Sequence, residues 1–136
     1  MICIYCSNDT KVVNSRHQKK LNRVWRRRTC INCGTTFTSS EAVDLSGSVS
    51  VIDDKRLEPF ERDKLFMSVY DSLKHRKTAL SDATGLTDTV ITHMYPLMTD
   101  ALIERDSIIL IVTEVLQRFD KTAAVYYVAF HPSKST

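Results

Sequence analysis

Cysteines occur only at positions 3, 6, 30 and 33 of the 136-residue chain, as two Cys-x-x-Cys pairs separated by 23 residues. No other feature constrains the fold as strongly. A two-residue gap inside a tight turn lets both sulfurs face one metal ion, and two such turns close a tetrahedral four-sulfur site with sulfur–metal distances of about 2.3 Å. Gly34, directly after the second pair, suits such a turn because glycine takes positive φ at little steric cost. A segment of about 44 residues buries too little apolar surface to fold on its core alone, and a structural Zn²⁺ supplies roughly 10 kcal/mol or more in finger peptides. One structural Zn²⁺ per chain, held by Cys3, Cys6, Cys30 and Cys33, is therefore expected. Disulfides would use the same residues but belong to secreted proteins. A thiol redox site or a rubredoxin-like iron centre also uses two such turns, and tetrahedral sulfur geometry alone does not separate Zn from Fe. A closed four-thiolate shell leaves no position for a reactive water, which argues against a metallohydrolase.

Charge follows the same division as the cysteines. Residues 1–44 carry eight Lys or Arg against three Asp or Glu, whereas the remainder carries eleven against thirteen. Gly47, flanked by Ser46 and Ser48, interrupts any periodic pattern, so the expected boundary separates domains at 1–44 and 48–131. Between the cysteine pairs, alternation around Val24, Arg26 and Arg28 predicts ribbon strands, with Arg26 and Arg28 on one face and Arg27 on the other. Guanidinium groups bond phosphate oxygens bidentately and, in a major groove, guanine O6 and N7. Double-stranded DNA is the expected partner, with a solvated basic face as the simpler alternative. Trp25 and Phe37 are read as the ribbon's own small core, with stacking on single-stranded bases as the alternative. One ribbon makes few phosphate contacts, so specific binding is expected to need a homo-oligomer.

The second segment predicts a hairpin over Val49–Ile52 and Lys55–Phe60, then helices over about Glu61–His75, from a cap at Thr87 through Leu102 with a break at Pro96, over Ser107–Phe119, and over Thr122–Phe130. The last is followed by a polar tail at 131–136. The apolar runs are short, the strongest being Ile108–Val112, and fall far below the roughly 20 residues a membrane span requires. With no basic and apolar leader at the N-terminus either, a cytoplasmic protein without membrane attachment is expected. No P-loop, G-x-G-x-x-G, H-E-x-x-H or G-x-S-x-G pattern is present, and no nucleophile or carboxylate constellation surrounds His75 or His93, so no enzymatic activity is expected.

Met1-x-Cys3-x-x-Cys6, Lys11-Val12-Val13, Ser15-Arg16, Arg26-Arg27-Arg28, Cys30-x-x-Cys33, Phe37-Thr38 and Glu41, followed by Glu58-Pro59-Phe60 and Lys64-Leu65, resemble the NrdR family of repressors of ribonucleotide reductase genes. The resemblance covers almost the whole chain. It implies an α+β protein in which a small zinc ribbon precedes a mainly α-helical ATP-cone capped by a short hairpin. It also implies binding to operator boxes of ribonucleotide reductase genes through Lys11, Arg16, Arg26, Arg27 and Arg28, and regulation by ATP and dATP through changes of oligomer. For the nucleotide the resemblance points to Glu58, Lys64 and Arg76, with Lys55 near the place of the family's phosphate-holding lysine, which is Ile52 here. The closing segment Ala124–Phe130 also lacks the arginines usual in the family, and any longer C-terminal tail is expected to be missing. A second reading follows from these departures: a ribbon that binds DNA and a degenerate cone that only assembles it.

Overall fold

The computed structural model describes residues 1–133 and divides into two compact units, Met1–Val43 and Asp44–Thr136, of which positions 134–136 lie outside the described residues together with the end of the expected polar tail. The first unit is an antiparallel sheet in the order β1 (Thr10–Gln18), β2 (Arg23–Cys30), β3 (Thr36–Ala42). β-branched residues and long cations dominate the central strand, and Asn22, with φ 49°, helps turn the chain from β1 into β2. One irregularity interrupts the pairing: Val12 sits opposite Arg28 and Asn14 opposite Arg27, so Val13 is an extra residue in β1. Apart from Cys3 and Cys30, this unit buries no hydrophobic side chain.

The second unit owns the hydrophobic core. It opens with a one-turn helix, α1 (Leu45–Ser48), capped by the Asp44 carboxylate accepting from the Gly47 N–H at 3.2 Å, where a linker was expected. The expected hairpin follows as β4 (Ser50–Asp53) and β5 (Arg56–Pro59), turning through Asp54 at φ 58°. It is not only a hairpin: a short β6 (Leu102–Glu104) adds to β4 in parallel, giving a sheet in the order β5-β4-β6. Leu102 was expected on a helix; instead Asp100 and Ala101, both at positive φ, deliver it to the sheet edge.

Helix α2 spans Arg62–Ser72 and buries Leu65 and Val69. Helix α3 spans Ala79–Met94, nine residues longer at its start than the capping reading of Thr87 implied. Thr87 is no cap but a fully buried residue in mid-helix, one of the inward series Ala79, Ala83, Thr87, Val90, Ile91, Met94. A 3₁₀ turn at Tyr95–Leu97 carries Pro96 and ends the helix where the break was expected. Helix α4 (Arg105–Phe119) packs on α3, β4, β6 and α5 (Lys121–Phe130), which makes it the central helix. Burying Ile109, Val112, Val115 and Leu116 in it contributes about 1.5–3 kcal/mol per side chain. No helix among the described residues is long and apolar enough to cross a membrane.

Candidate metal centre and nucleic-acid face

The two cysteine turns are one motif used twice. In each, the N–H of the first cysteine donates to the carbonyl five residues on, Cys3 to Asn8 at 2.7 Å and Cys30 to Thr35 at 2.9 Å. The residue after the second cysteine donates back to the first cysteine's carbonyl, Ser7 to Cys3 at 3.0 Å and Gly34 to Cys30 at 3.2 Å. That residue is left-handed in both, with φ 64° at Ser7 and 72° at Gly34, as the turn requires. Backbone N–H groups then aim at sulfur: Tyr5 at Cys3 Sγ over 3.3 Å, and Asn32 and Cys33 at Cys30 Sγ over 3.4 Å.

The four Sγ atoms lie within 4.8 Å of one another, with Cys3–Cys33 at 3.8 Å and Cys6–Cys30 at 3.4 Å. A sulfur tetrahedron around a metal at about 2.3 Å has edges of about 3.8 Å, so the set has the size of a Zn²⁺ shell and is far too open for disulfide bonds of about 2.05 Å. All four thiols are unbridged. The Asn8 amide, donating to Cys6 Sγ at 3.3 Å, brings the Cys6 thiol down to about 6. Thr35, whose hydroxyl lies 3.1 Å from Cys33 Sγ, lowers Cys33 as well. At Cys30 the Cys33 N–H favours the thiolate, yet desolvation and the neighbouring sulfurs outweigh it and carry the thiol up to about 11. Negative charge thus crowds one small volume, a conflict that a bound dication removes. The residues fit structural zinc.

The pairing register sorts the expected DNA-binding cations. Residues directly opposite across antiparallel strands share a face. Arg16 opposes Trp25, Asn14 opposes Arg27 and Lys11 opposes Thr29, so Lys11, Arg16, Trp25 and Arg27 lie on one face. Arg26 and Arg28 lie on the other with Ser39, Phe37 and Glu41. The expected split of the arginine triplet is therefore present. On the first face the Arg16 guanidinium stands 5.8 Å over the Trp25 ring, and Arg27 donates to Thr36 Oγ1 at 2.8 Å and Thr38 Oγ1 at 3.2 Å. On the second, Arg26 is 3.6 Å from Glu41, and Arg28 Nε donates to Ser39 Oγ at 3.0 Å. Trp25 and Phe37 occupy opposite faces, each half-buried, and do not form the shared core expected of them. The sulfur cluster takes that place.

In the second unit, Glu58 and Lys64, 3.6 Å apart, line a cavity of about 210 Å³ between β5, α2, α4 and α5 with Phe60, Arg105, Tyr127 and His131. The other two residues expected at a nucleotide site are elsewhere. Lys55 is exposed in the hairpin turn, and Arg76 follows α2, bound to Asp82 at 2.9 Å and Asp120 at 3.0 Å and lying 4.6 Å over Phe119. That arginine closes a cluster tying α3 to the start of α5 and does not face the cavity. Arg105 and His131, the additional basic groups there, carry no sequence signal: one is the first residue of a helix whose start was placed two residues later, the other follows α5.

Residues 1–41 match the family described as Transcriptional repressor NrdR-like, N-terminal domain. Over 91 residues, 66% of this chain, the sequence is 37% identical to proteins named Transcriptional repressor NrdR from Staphylococcus aureus, strains JH9, Newman and N315 among them. The matched segment spans 58% of the length of those relatives.

Proposed function

From the premise that this chain belongs to the NrdR family of transcriptional repressors and carries its zinc ribbon, we propose that it binds operator DNA of ribonucleotide reductase genes and is tuned by ATP and dATP. The observation that carries the reading is the four-sulfur cluster closing a ribbon whose strands bear Lys11, Arg16, Arg26, Arg27 and Arg28. Zn²⁺ in that cluster holds the two turns together, and cations from among these neutralise phosphates. The protein acts in the cytoplasm as a binding protein with no catalytic step.

The cavity beside Glu58 and Lys64 is the proposed place of the nucleotide, with Lys64, Arg105 and His131 as its basic wall. A nucleotide seated there favours the oligomer that binds it more tightly, and it alters DNA affinity only by that difference. The position of Arg76 in its own ion cluster favours a second reading, in which the cone has lost nucleotide binding and serves as an assembly scaffold. Calorimetric titration of the zinc-loaded chain with ATP and dATP, with mass followed by light scattering, decides between them. Saturable dATP binding with a change of mass is the expected result. No heat at millimolar nucleotide gives the scaffold reading, and no affinity for duplex DNA at low salt removes both.

A further inference from the structure

We propose that only one face of the ribbon meets DNA, the face of Lys11, Arg16 and Arg27, and that Trp25 positions Arg16 on it. The inference rests on the DNA-binding reading above and names the surface that does the binding. Three observations carry it.

The first is charge. On the Lys11 face the strands present Lys11, Arg16, Arg23 and Arg27 alongside Asn14, Gln18, Thr36, Thr38 and Ser40, with no carboxylate among them. The opposite face sets Glu41 against Arg26. A polyanion gains counterion release on the first and meets a carboxylate on the second. The second observation is the bulge. Lys11 and Arg16 are five positions apart, an odd number, and in a regular strand they would point to opposite faces. The extra residue at Val13 reverses the alternation and brings both beside Arg27.

The third is how the arginines are held. Arg26 and Arg28 are engaged by Glu41 and Ser39 around half-buried Phe37, an arrangement that stiffens β2 against β3. Arg27 rests on two threonine hydroxyls that use two of its five N–H donors and leave three for phosphate oxygens. Arg16 lies over the indole face of Trp25, which fixes the guanidinium by cation–π attraction and leaves its N–H groups for phosphate. Trp25 is thus a positioning residue acting through Arg16.

The test uses the full zinc-loaded chain and a random-sequence DNA duplex, with affinity measured across a salt series. Arg16→Gln, Arg27→Gln and Lys11→Gln are each expected to reduce the slope of log affinity against log salt by about one, while Arg26→Gln and Arg28→Gln leave the slope unchanged. Trp25→Ala should weaken binding as much as Arg16→Gln, with the double variant no weaker than either, and Trp25→Phe should restore affinity. The chain contains a single tryptophan, so its emission should shift as duplex is added. Zinc content of one per chain establishes that each variant keeps its fold, and the glutamine series carries the test if Trp25→Ala does not. Equal slope changes for all five cations, or losses confined to Arg26 and Arg28, overturn the face assignment while leaving DNA binding intact. Failure of the unaltered chain to bind duplex at low salt overturns the proposed function instead.

Discussion

Asp120 shows how much one carboxylate holds at the residue scale. It caps α5 by accepting from the Ala123 N–H at 3.1 Å, lies 2.9 Å from His75 Nε2, and accepts from Arg76 at 3.0 Å. The His75 contact, then the Ala123 N–H and Arg76, hold its carboxyl well below the usual carboxylate range, and Thr78 with Arg76 lowers that of Asp82. A carboxylate depressed in the folded state binds fewer protons than in the unfolded chain, so its stabilisation is complete above about pH 4 and disappears as the pH falls below that. Melting of the helical signal between pH 7 and pH 3 should therefore be steep in the natural chain and shallower in Asp120→Asn, which also melts lower at pH 7. A pH dependence unchanged by the substitution would mean the cluster holds no preferential charge. Thr87 makes the opposite case: its hydroxyl, fully buried, has no hydrogen-bond partner among the described residues. Thr87→Val keeps the shape and removes the desolvation penalty, so a gain of about 1 kcal/mol is expected, seen as a rise of about 4–8 °C in the melting of the second unit.

Among the elements, those legible in the sequence are the ones whose cause is local. The cysteine turns follow from spacing plus Gly34, the hairpin from the short alternations on either side of Asp54–Lys55, α2 from an apolar stripe, and α4 from a segment apolar nearly all round through Val112. The first half of α3 was not legible because Ser81, Asp82, Thr84 and Gly85 are weak helix formers, and the seats they flank are alanines, chosen by what packs on them. Strand β6 is three residues long and exists because β4, far back in the sequence, offers it an edge. Of the candidate site, the four ligands were fully legible and the cations only as a set, since nothing local announces the extra residue in β1. Its removal is a direct probe. Deleting Val13 leaves Lys11 and Arg16 four positions apart, so regular alternation still sets both on the face of Arg27. The variant should keep its zinc and bind duplex with an unchanged salt slope. A slope lower by about one with zinc retained would show that the two cations do not reach DNA through this register.

For the whole molecule, the two units rest on different forces, and removing the metal separates them. Every member of the buried apolar cluster lies in the second unit, whereas Met1–Val43 buries only Cys3 and Cys30 and relies on hydrogen bonds, strand pairing and the sulfur cluster. Strand pairing without an apolar face is marginal in water, so the metal's binding free energy is the folding free energy of the ribbon. The chain reports on each unit separately, since its one tryptophan lies in β2 and every helix among the described residues lies between Leu45 and Phe130. Adding a strong chelator should therefore shift Trp25 emission to that of a solvated indole, expose four titratable thiols and abolish DNA binding, while the helical signal and its thermal transition persist. Restoring Zn²⁺ should reverse all three changes. A simultaneous loss of helical signal would mean that the second core does not stand alone, and an unchanged tryptophan spectrum would mean that the ribbon holds without metal. If the cavity beside Glu58 and Lys64 is the nucleotide site proposed above, the chelated chain should still bind dATP with unaltered affinity, because every residue lining that cavity belongs to the second unit.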